Sequence, residues 1–166
     1  LVDRVGCVVN LLLLEHFLHN PPPNTLTLVW TIQEETGLRG AQAFSAHNSF
    51  DEVYTLDTIS AGNLPWGNFY QSPARTGGGP VIRLADRKGV SSLKLRNFVK
   101  EVARKNKIKV QEIVTGGSTD AAAAFEAGLN SIPLCIPVKY THSQVEMMSI
   151  EDYHNTLKLL LLIGAK

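Results

Sequence analysis

The chain has 166 residues, of which 44% are hydrophobic and 19% are charged, and its formal net charge is +1. This composition is typical of one globular domain with a sizeable core, and it excludes an intrinsically disordered chain. The near-neutral charge gives no reason to expect a nucleic acid or an anionic membrane surface as a partner.

The hydrophobic pattern predicts helices and strands that alternate along the chain. Predicted helices, read from helical spacing and from capping or breaking residues, span residues 5–19, 37–47, 92–105, 119–127 and 149–163. Predicted strands span residues 25–32, 51–56, 80–84, 107–114 and 131–139, and a loop rich in Gly and Pro spans 62–79. The run TLTLVWTI at residues 25–32 is almost continuously apolar, which favours a strand covered on both faces. The alternation predicts an α/β fold, a three-layer sandwich with a mixed, largely parallel central sheet.

The two cysteines and the short apolar runs indicate the cellular compartment in which the protein works. Cys7 and Cys135 lie in apolar surroundings, which favours free, buried thiols over a disulfide and suits a reducing compartment. The apolar runs at residues 11–14 and 159–163 are far shorter than the ~20 residues of a membrane span. The printed sequence also shows no secretory signal, so we expect a cytoplasmic protein.

The strongest local signal is QEETGLRG at residues 33–40, directly after the predicted strand 25–32. Ligands bind at the carboxyl ends of strands in α/β sheets. The adjacent carboxylates of Glu34 and Glu35 can serve one metal centre there if the chain leaves its extended path. The alternative, for any Glu-Glu pair taken alone, is an acidic loop facing solvent.

Three further residues at the ends of predicted elements are candidate ligands. Asp57 follows the strand 51–56, His142 follows the strand 131–139, and Asp3 precedes the first helix. Asp, Glu and His side chains can together form a zinc or cobalt site. An Asp in such a position is also a common turn former or helix cap, so spacing alone leaves both interpretations open.

These motifs resemble a known enzyme family. The segment VWTIQEETGLRGA at residues 29–41 is similar to the hallmark of the glutamyl or deblocking aminopeptidases, dinuclear metallopeptidases that form tetrahedral, dodecameric particles. The resemblance continues in order through Asp57, the Gly79-Pro80 turn, GGSTDA at 116–121 and YTHS at 140–143. It covers essentially the whole chain.

The resemblance implies a role for each candidate residue. Glu34 would be the general base, Glu35 and His142 would share one divalent ion, and Asp57 would bind the other. The ions would be zinc or cobalt. The loop that contains Gly117, Thr119 and Asp120 would lie at the substrate pocket, with Ser118 as an extra residue relative to the usual Gly-Gly-Thr-Asp pattern. The expected partners are peptide substrates and further copies of the chain, in a dodecamer.

The start of the chain departs from the family pattern. The family shows Asp-Asp-Arg or Asp-Asn-Arg before its first helix here, where this chain has Val2-Asp3-Arg4, so Asp3 is the candidate bridging ligand. The family's first metal-binding His lies upstream, before an inserted oligomerisation domain, and neither is within these 166 residues. We therefore expect residues 1–166 to be part of a metallopeptidase catalytic domain, without its N-terminal portion and the inserted domain.

The expected activity is removal of N-terminal residues from peptides by a metal-activated water with Glu34 as base. The alternative is a non-catalytic or inactive relative or fragment that retains the fold with an incomplete metal site. Glycoside hydrolysis is disfavoured, because adjacent side chains on an extended segment point to opposite faces and do not flank one bond.

Overall fold

A computed structural model describes residues 2–67 and 70–166; Leu1, Asn68 and Phe69 lie outside the described residues, the last two within the predicted loop 62–79. The described helices are α1 (Arg4–His19), α2 (Arg39–His47), α3 (Leu93–Lys105), α4 (Ala121–Glu126) and α5 (Ile150–Gly164). The described strands are β1 (Val53–Ser60), β2 (Val81–Ala85), β3 (Gln111–Val114), β4 (Ser131–Lys139) and β5 (Met147–Met148). All five predicted helices are confirmed.

Short polar side chains fix where three of the helices begin. The Asp3 carboxylate accepts a hydrogen bond from the amide of Gly6, and the Ser92 and Ser149 hydroxyls cap α3 and α5 in the same way. These side chains satisfy amide groups that have no partner inside the first turn of a helix. The capping residues are visible in the sequence, which is why the helix starts are predicted closely.

The sheet is mixed and largely parallel, as the sequence predicted. Its strand order is β1-β4-β2-β3, with β5 paired to β4. The β1–β4 pair is parallel from Val53↔Ser131 to Ser60↔Val138, and the β2–β3 pair is also parallel. Shorter antiparallel pairings join β2 and β5 to β4. Strand β4 is therefore the centre of the sheet, and eight of its nine residues are buried.

The predicted strand at residues 25–32 is wrong. This segment forms no strand, and most of its residues are exposed, including Trp30 at 41% and Ile32 at 69%. Two hydrogen bonds join it to α1, in which the Trp30 indole donates to the Cys7 carbonyl and the Asn10 amide donates to the Val29 carbonyl. The apolar pattern is that of a covered strand, but within the described residues no strand pairs with it.

The two faces of the sheet differ in what covers them. On one face, side chains from β4 and β2 pack against α1, α3 and α5; its members include Val9, Phe17, Ile82, Leu95, Val99, Ile132, Leu134, Ile136, Leu159 and Ile163. The opposite face carries a smaller apolar cluster with Ile59, Val81 and Cys135. Helix α4 contacts β4 and β1, and α2 packs on α4. The smaller apolar cluster leaves room on this second face for polar side chains.

Both cysteines are free, as predicted, but only one is buried. Cys135 is fully buried in β4, whereas Cys7 is exposed on the outer side of α1, so the prediction of a buried Cys7 is wrong. Helix α1 is apolar on its exposed side as well, and an apolar neighbourhood in sequence therefore did not imply burial. Among the described helices, none has the length and hydropathy that crossing a membrane would require.

Candidate functional site

A cleft of about 400 Å³ opens on the sheet face that carries Cys135. That volume lies within the range of small-molecule and peptide sites in proteins. Of the side chains predicted to carry chemistry, those of Glu34, Glu35, Asp57 and His142 all line this cleft. The fold therefore brings together residues from three separate segments of the chain.

Glu34 and Glu35 reach the cleft because the chain turns sharply after Ile32. Gln33 has a left-handed backbone (φ 58°), and the Glu34 carbonyl then accepts hydrogen bonds from the amides of Gly37 (3.1 Å) and Leu38 (2.9 Å). Left-handed backbone is costly for a residue other than Gly and persists where surrounding structure holds it, often at functional sites. The segment is not extended, so the expectation that adjacent carboxylates point to opposite faces does not hold here.

The far end of this turn is fixed by Gly40. Its amide donates to the Ile32 carbonyl at 3.0 Å, and a Cβ added at this position would stand 2.6 Å from the Ile32 amide nitrogen. No side chain fits in that space, so this close approach requires Gly. The turn is therefore closed between Ile32 and the first turn of α2.

The sequence predicted that Asp57 follows the end of a strand. In the structure it lies inside β1, which continues to Ser60. Strand side chains alternate between faces, so Asp57 points away from the main core and into the cleft, opposite to its neighbour Leu56. Burial raises the pKa of the Asp57 carboxyl well above its usual range, and the nearby Asp3 carboxylate raises it further. The amide of Thr58 donates to Asp57 Oδ1 at 2.6 Å and opposes this effect only in part.

The Asp3 carboxylate makes two interactions at the start of α1. Its Oδ1 accepts from the Gly6 amide at 3.0 Å, and its charge interacts with that of Asp57. Burial raises the pKa of Asp3 to about 6, with the Gly6 hydrogen bond as a smaller opposing effect. Asp3 is therefore a helix cap whose carboxyl also lies close to the Asp57 side of the cleft.

His142 and Glu35 are in direct contact. The His142 Nε2 lies 3.3 Å from Glu35 Oε1, and both side chains are more than half exposed. His142 has a left-handed backbone (φ 62°), and its amide donates to Glu146 Oε1 at 2.7 Å. The second carboxylate oxygen of Glu146 accepts from the Val2 amide at 3.2 Å, so this turn also holds the start of the chain beside the cleft.

Glu34 has the electrostatic surroundings of a proton acceptor. Burial raises the pKa of the Glu34 carboxyl above its usual value, and the carboxylates of Glu35 and Asp120 raise it further. The coulombic effects of His142 and Arg83 act in the opposite direction. A carboxyl with a raised pKa is better matched to proton transfer near neutral pH than an ordinary one.

The three predicted substrate-binding residues have different surroundings. Gly117 lines the cleft. Thr119 is fully buried, and its Oγ1 accepts from the Ala121 amide at 3.2 Å at the start of α4. Asp120 accepts a short hydrogen bond from the Thr31 hydroxyl. Of the three, Gly117 alone borders the cleft among the described residues, and the substrate-binding roles stay predictions.

Sequence reasoning missed Arg83, which lines the cleft from β2 and is only 4% exposed. Its Nε lies 3.5 Å from Asp86 Oδ2, both side chains are buried, and neither atom has a hydrogen-bond partner in the described chain. A Cβ at Gly117 would come within 3.0 Å of the guanidinium Nη2, so Gly117 allows the loop to approach Arg83. A lone Arg inside the apolar strand PVIRLA was the available signal.

The candidate ligands Glu35, His142, Asp3 and Asp57 are of types that bind metal ions, but too few of them lie together to complete a site. Within residues 2–67 and 70–166, no three His, Cys, Asp or Glu side chains form a group that could hold a metal ion. The donors instead form two pairs, Glu35 with His142 and Asp3 with Asp57. Carboxylate oxygen and imidazole nitrogen suit zinc, but a catalytic zinc has three protein ligands. Each ion would therefore need a ligand beyond these pairs.

Comparison with known proteins identifies the family. The profile of the M42 glutamyl aminopeptidase family matches residues 1–159. A putative aminopeptidase of Acetivibrio thermocellus is 32% identical over 162 residues, which are 96% of this chain and 48% of that protein. The putative aminopeptidase FrvX of Escherichia coli K12 is 34% identical over 161 residues, 95% of this chain and 45% of that protein.

Solved structures agree with this similarity. A TET aminopeptidase from the marine sediment archaeon Thaumarchaeota archaeon SCGC AB-539-E09 superposes with a TM-score of 0.93 at 30% identity, over 99% of this chain and 48% of that one. The Pyrococcus horikoshii TET1 peptidase, described as assembling into a tetrahedron or a large octahedral shell, superposes with a TM-score of 0.89 at 30% identity, over 98% and 48%. The chain spans about half the length of the curated relatives it matches. The match over residues 1–159 shows that this chain belongs to the M42 glutamyl aminopeptidase family.

Proposed function

We propose that this chain contributes the general base and most of the metal ligands to a metal-dependent aminopeptidase. The observation that carries the proposal is the convergence of Glu34, Glu35, Asp57 and His142 on one cleft. Membership of the aminopeptidase family supports peptides as the substrates.

The proposed role of Glu34 follows from its surroundings. Its carboxyl would take a proton from the attacking water and deliver it to the leaving amine, which is general acid–base catalysis. The raised pKa of Glu34 favours both halves of this transfer near neutral pH. Gly117 and the neighbouring loop would border the bound peptide, because they line the same cleft as Glu34 and Glu35.

We propose that Glu35 and His142 hold one divalent ion and that Asp3 and Asp57 contribute to the site of a second. Such ions, zinc or cobalt, lower the pKa of bound water and polarise a scissile carbonyl when present. The 3.3 Å separation of Glu35 and His142 supports the first pair. The effect of the Asp3 charge on the pKa of Asp57 supports the second pair, because it requires the two carboxyls to lie near each other.

We also propose that residues 1–166 form part of a larger catalytic domain in a homo-oligomer. Exposed apolar side chains on the outer side of α1 (Val8, Leu11, Leu14 and Leu18) and on the segment 25–32 (Leu26, Trp30 and Ile32) support this. A large apolar surface of this kind marks a site that another polypeptide covers. This chain covers about half the length of the TET relatives. The Pyrococcus horikoshii relative, which can assemble into a tetrahedron or a large octahedral shell, is the precedent for a homo-oligomer. The free thiols suit a cytoplasmic location.

The alternative is a relative that retains the fold with an incomplete metal site. The lack of a three-ligand group in the described residues favours it. The intact mass and metal content of the natural protein separate the two functions. About two divalent ions per subunit, with hydrolysis of aminoacyl p-nitroanilides that a chelator abolishes, would support the aminopeptidase. A subunit of 18.2 kDa with no tightly bound metal and no hydrolysis would support the inactive relative.

A further inference from the structure

The Thr31 hydroxyl donates a short hydrogen bond to Asp120 Oδ2, joining two segments that are far apart in sequence. The other oxygen, Asp120 Oδ1, is buried and has no hydrogen-bond partner among the described residues. Burial raises the pKa of the Asp120 carboxyl, and the Thr31 hydrogen bond opposes that effect. Thr31 is therefore the side chain that compensates the burial of Asp120.

Asp120 is not used as a helix cap, although it stands directly before α4. Its side chain makes no capping hydrogen bond, and the start of the helix is instead satisfied by Thr119 Oγ1. An Asp at this position ordinarily accepts from an amide in the first turn. Its carboxylate is committed to Thr31 and not to its own helix.

Helix α4 gives Asp120 a rigid base. The side chains of residues 121–124 are all at most 2% exposed, and the helix contacts β4 and β1. Closely packed interiors of this kind resist displacement. A group fixed to Asp120 is therefore fixed to the centre of the sheet.

Thr31 lies at the opposite end of this connection, three residues before Glu34. The turn that bears Glu34 and Glu35 closes on Ile32 through the Gly40 amide, which holds its far end. Segment 25–32 has no strand partner in the described chain, and its hydrogen bonds to α1 involve Val29 and Trp30. The hydrogen bond to Asp120 adds an attachment at Thr31, which is closer to the turn.

We propose that Thr31 and Asp120 are positioning residues, which fix the turn of Glu34 and Glu35 against α4 so that the Glu34 carboxyl faces the reacting water. This inference rests on the proposed function for its catalytic consequence. It assigns Asp120 a role through Glu34, and not the direct substrate contact that the sequence predicted. The hydroxyl of Thr31 is the group on which the arrangement depends.

The test compares Thr31→Val, which removes the hydroxyl at similar shape, with Thr31→Ser, which keeps it. The control is Thr27→Val, an exposed residue of the same segment that makes no side-chain hydrogen bond in the described chain. Hydrogen exchange followed by mass spectrometry on the natural full-length protein reads the amides of Gly37, Leu38 and Gly40, which are bonded within the turn. Steady-state kinetics with a metal-loaded preparation gives kcat and KM separately.

We expect faster exchange in the turn for Thr31→Val only, with Thr31→Ser and Thr27→Val close to the wild type. We expect kcat to fall about tenfold to a hundredfold at nearly constant KM, and the Ser variant to restore it. Unchanged exchange and unchanged kcat in a folded Thr31→Val would overturn the proposal. If that variant fails to fold, Thr31→Cys, with a weakly donating thiol, takes its place. A wild type without hydrolytic activity would refute the proposed function, while the exchange comparison would still decide whether Thr31 holds the turn.

Discussion

The Glu35 carboxylate lies 3.3 Å from the imidazole Nε2 of His142, although the two residues belong to turns that are far apart in the chain. Each turn contains a residue with left-handed backbone, Gln33 in the first and His142 itself in the second. The exposure of both side chains gives the contact little value for stability, because exposed ion pairs contribute about 0–1 kcal/mol. The contact therefore contributes little to folding, and it is consistent with the proposal that the two side chains share a ligand.

Glu34→Gln should abolish turnover while leaving the metal content unchanged. The amide cannot accept the proton, whereas the proposed ligands Glu35 and His142 remain in place. Loss of a general base lowers the rate by about a hundredfold or more. Metal analysis by mass spectrometry and hydrolysis of an aminoacyl p-nitroanilide measure the two effects, with the exposed Glu15→Gln as control. Near-normal turnover in Glu34→Gln would remove Glu34 from the role.

Arg83→Met should destabilise the protein because it leaves the buried Asp86 carboxylate without its cation. Removing one partner of a buried pair costs about 3–5 kcal/mol. The 3.5 Å separation without a hydrogen bond places the expected loss at the lower end of that range. Urea unfolding monitored by circular dichroism measures the change in the free energy of unfolding.

The matched control for this variant is Lys88→Met, which removes the cation of an exposed pair with Glu126. We expect a change below about 1 kcal/mol there. The double variant Arg83→Met with Asp86→Asn should recover part of the stability, since it removes the unpaired charge. Equal losses for Arg83→Met and Lys88→Met would contradict the importance of burial.

Asp152→Asn should loosen the loop before β2. The buried Asp152 carboxylate accepts from the amides of Gly77 and Gly79, each at 2.7 Å. An Asn side chain has a single acceptor oxygen, so one of these amides loses its partner at a cost of about 1–3 kcal/mol. Thermal unfolding measures the loss, and the neighbouring exposed Glu151→Gln should change little. An unshifted midpoint for Asp152→Asn would show that water replaces the lost bond.

The metal-free protein should lose stability as the pH rises from about 4 to about 6. The pKa of Asp3 is about 6 in the folded chain against an ordinary value of 3.8, and the pKa of Asp57 is raised as well. Between these values the unfolded chain releases a proton that the folded chain retains, so the slope of the unfolding free energy with pH is negative. Urea titrations at several pH values, with chelator present, measure it.

Asp3→Asn provides the control for this pH dependence, because Asn keeps an acceptor for the Gly6 amide without titrating. The difference in slope between the wild type and this variant reports the titration of Asp3 together with the effect of the Asp3 charge on Asp57. Divalent ions should reverse the trend, since metal binding requires the deprotonated carboxylates and strengthens as the pH rises. Identical slopes in the two chains would rule out a raised pKa for Asp3.

The sequence by itself determined the helices, four of the strands and most of the candidate residues that line the cleft. Capping residues and helical spacing act locally, so Ser92, Ser149 and the pattern after Asp3 give the helix positions without knowledge of the rest of the fold. The motif at residues 33–40 also pointed directly to Glu34 and Glu35. These are short-range signals, which is why they are readable from one chain.

Tertiary structure decided the contacts between distant segments. The hydrophobic pattern of residues 25–32 predicts a strand, but a strand exists only with a partner, and pairing is a long-range property. Asp57 belongs to the cleft because β1 continues beyond it beside β4. Arg83 belongs there because β2 pairs with β4 and the Arg83 side chain lies on the cleft face of the sheet. The bond from Thr31 to Asp120 has no sequence signal, because neither residue type is unusual in its own segment. Burial and proximity depend on the whole chain, and they decide which of the polar residues act together.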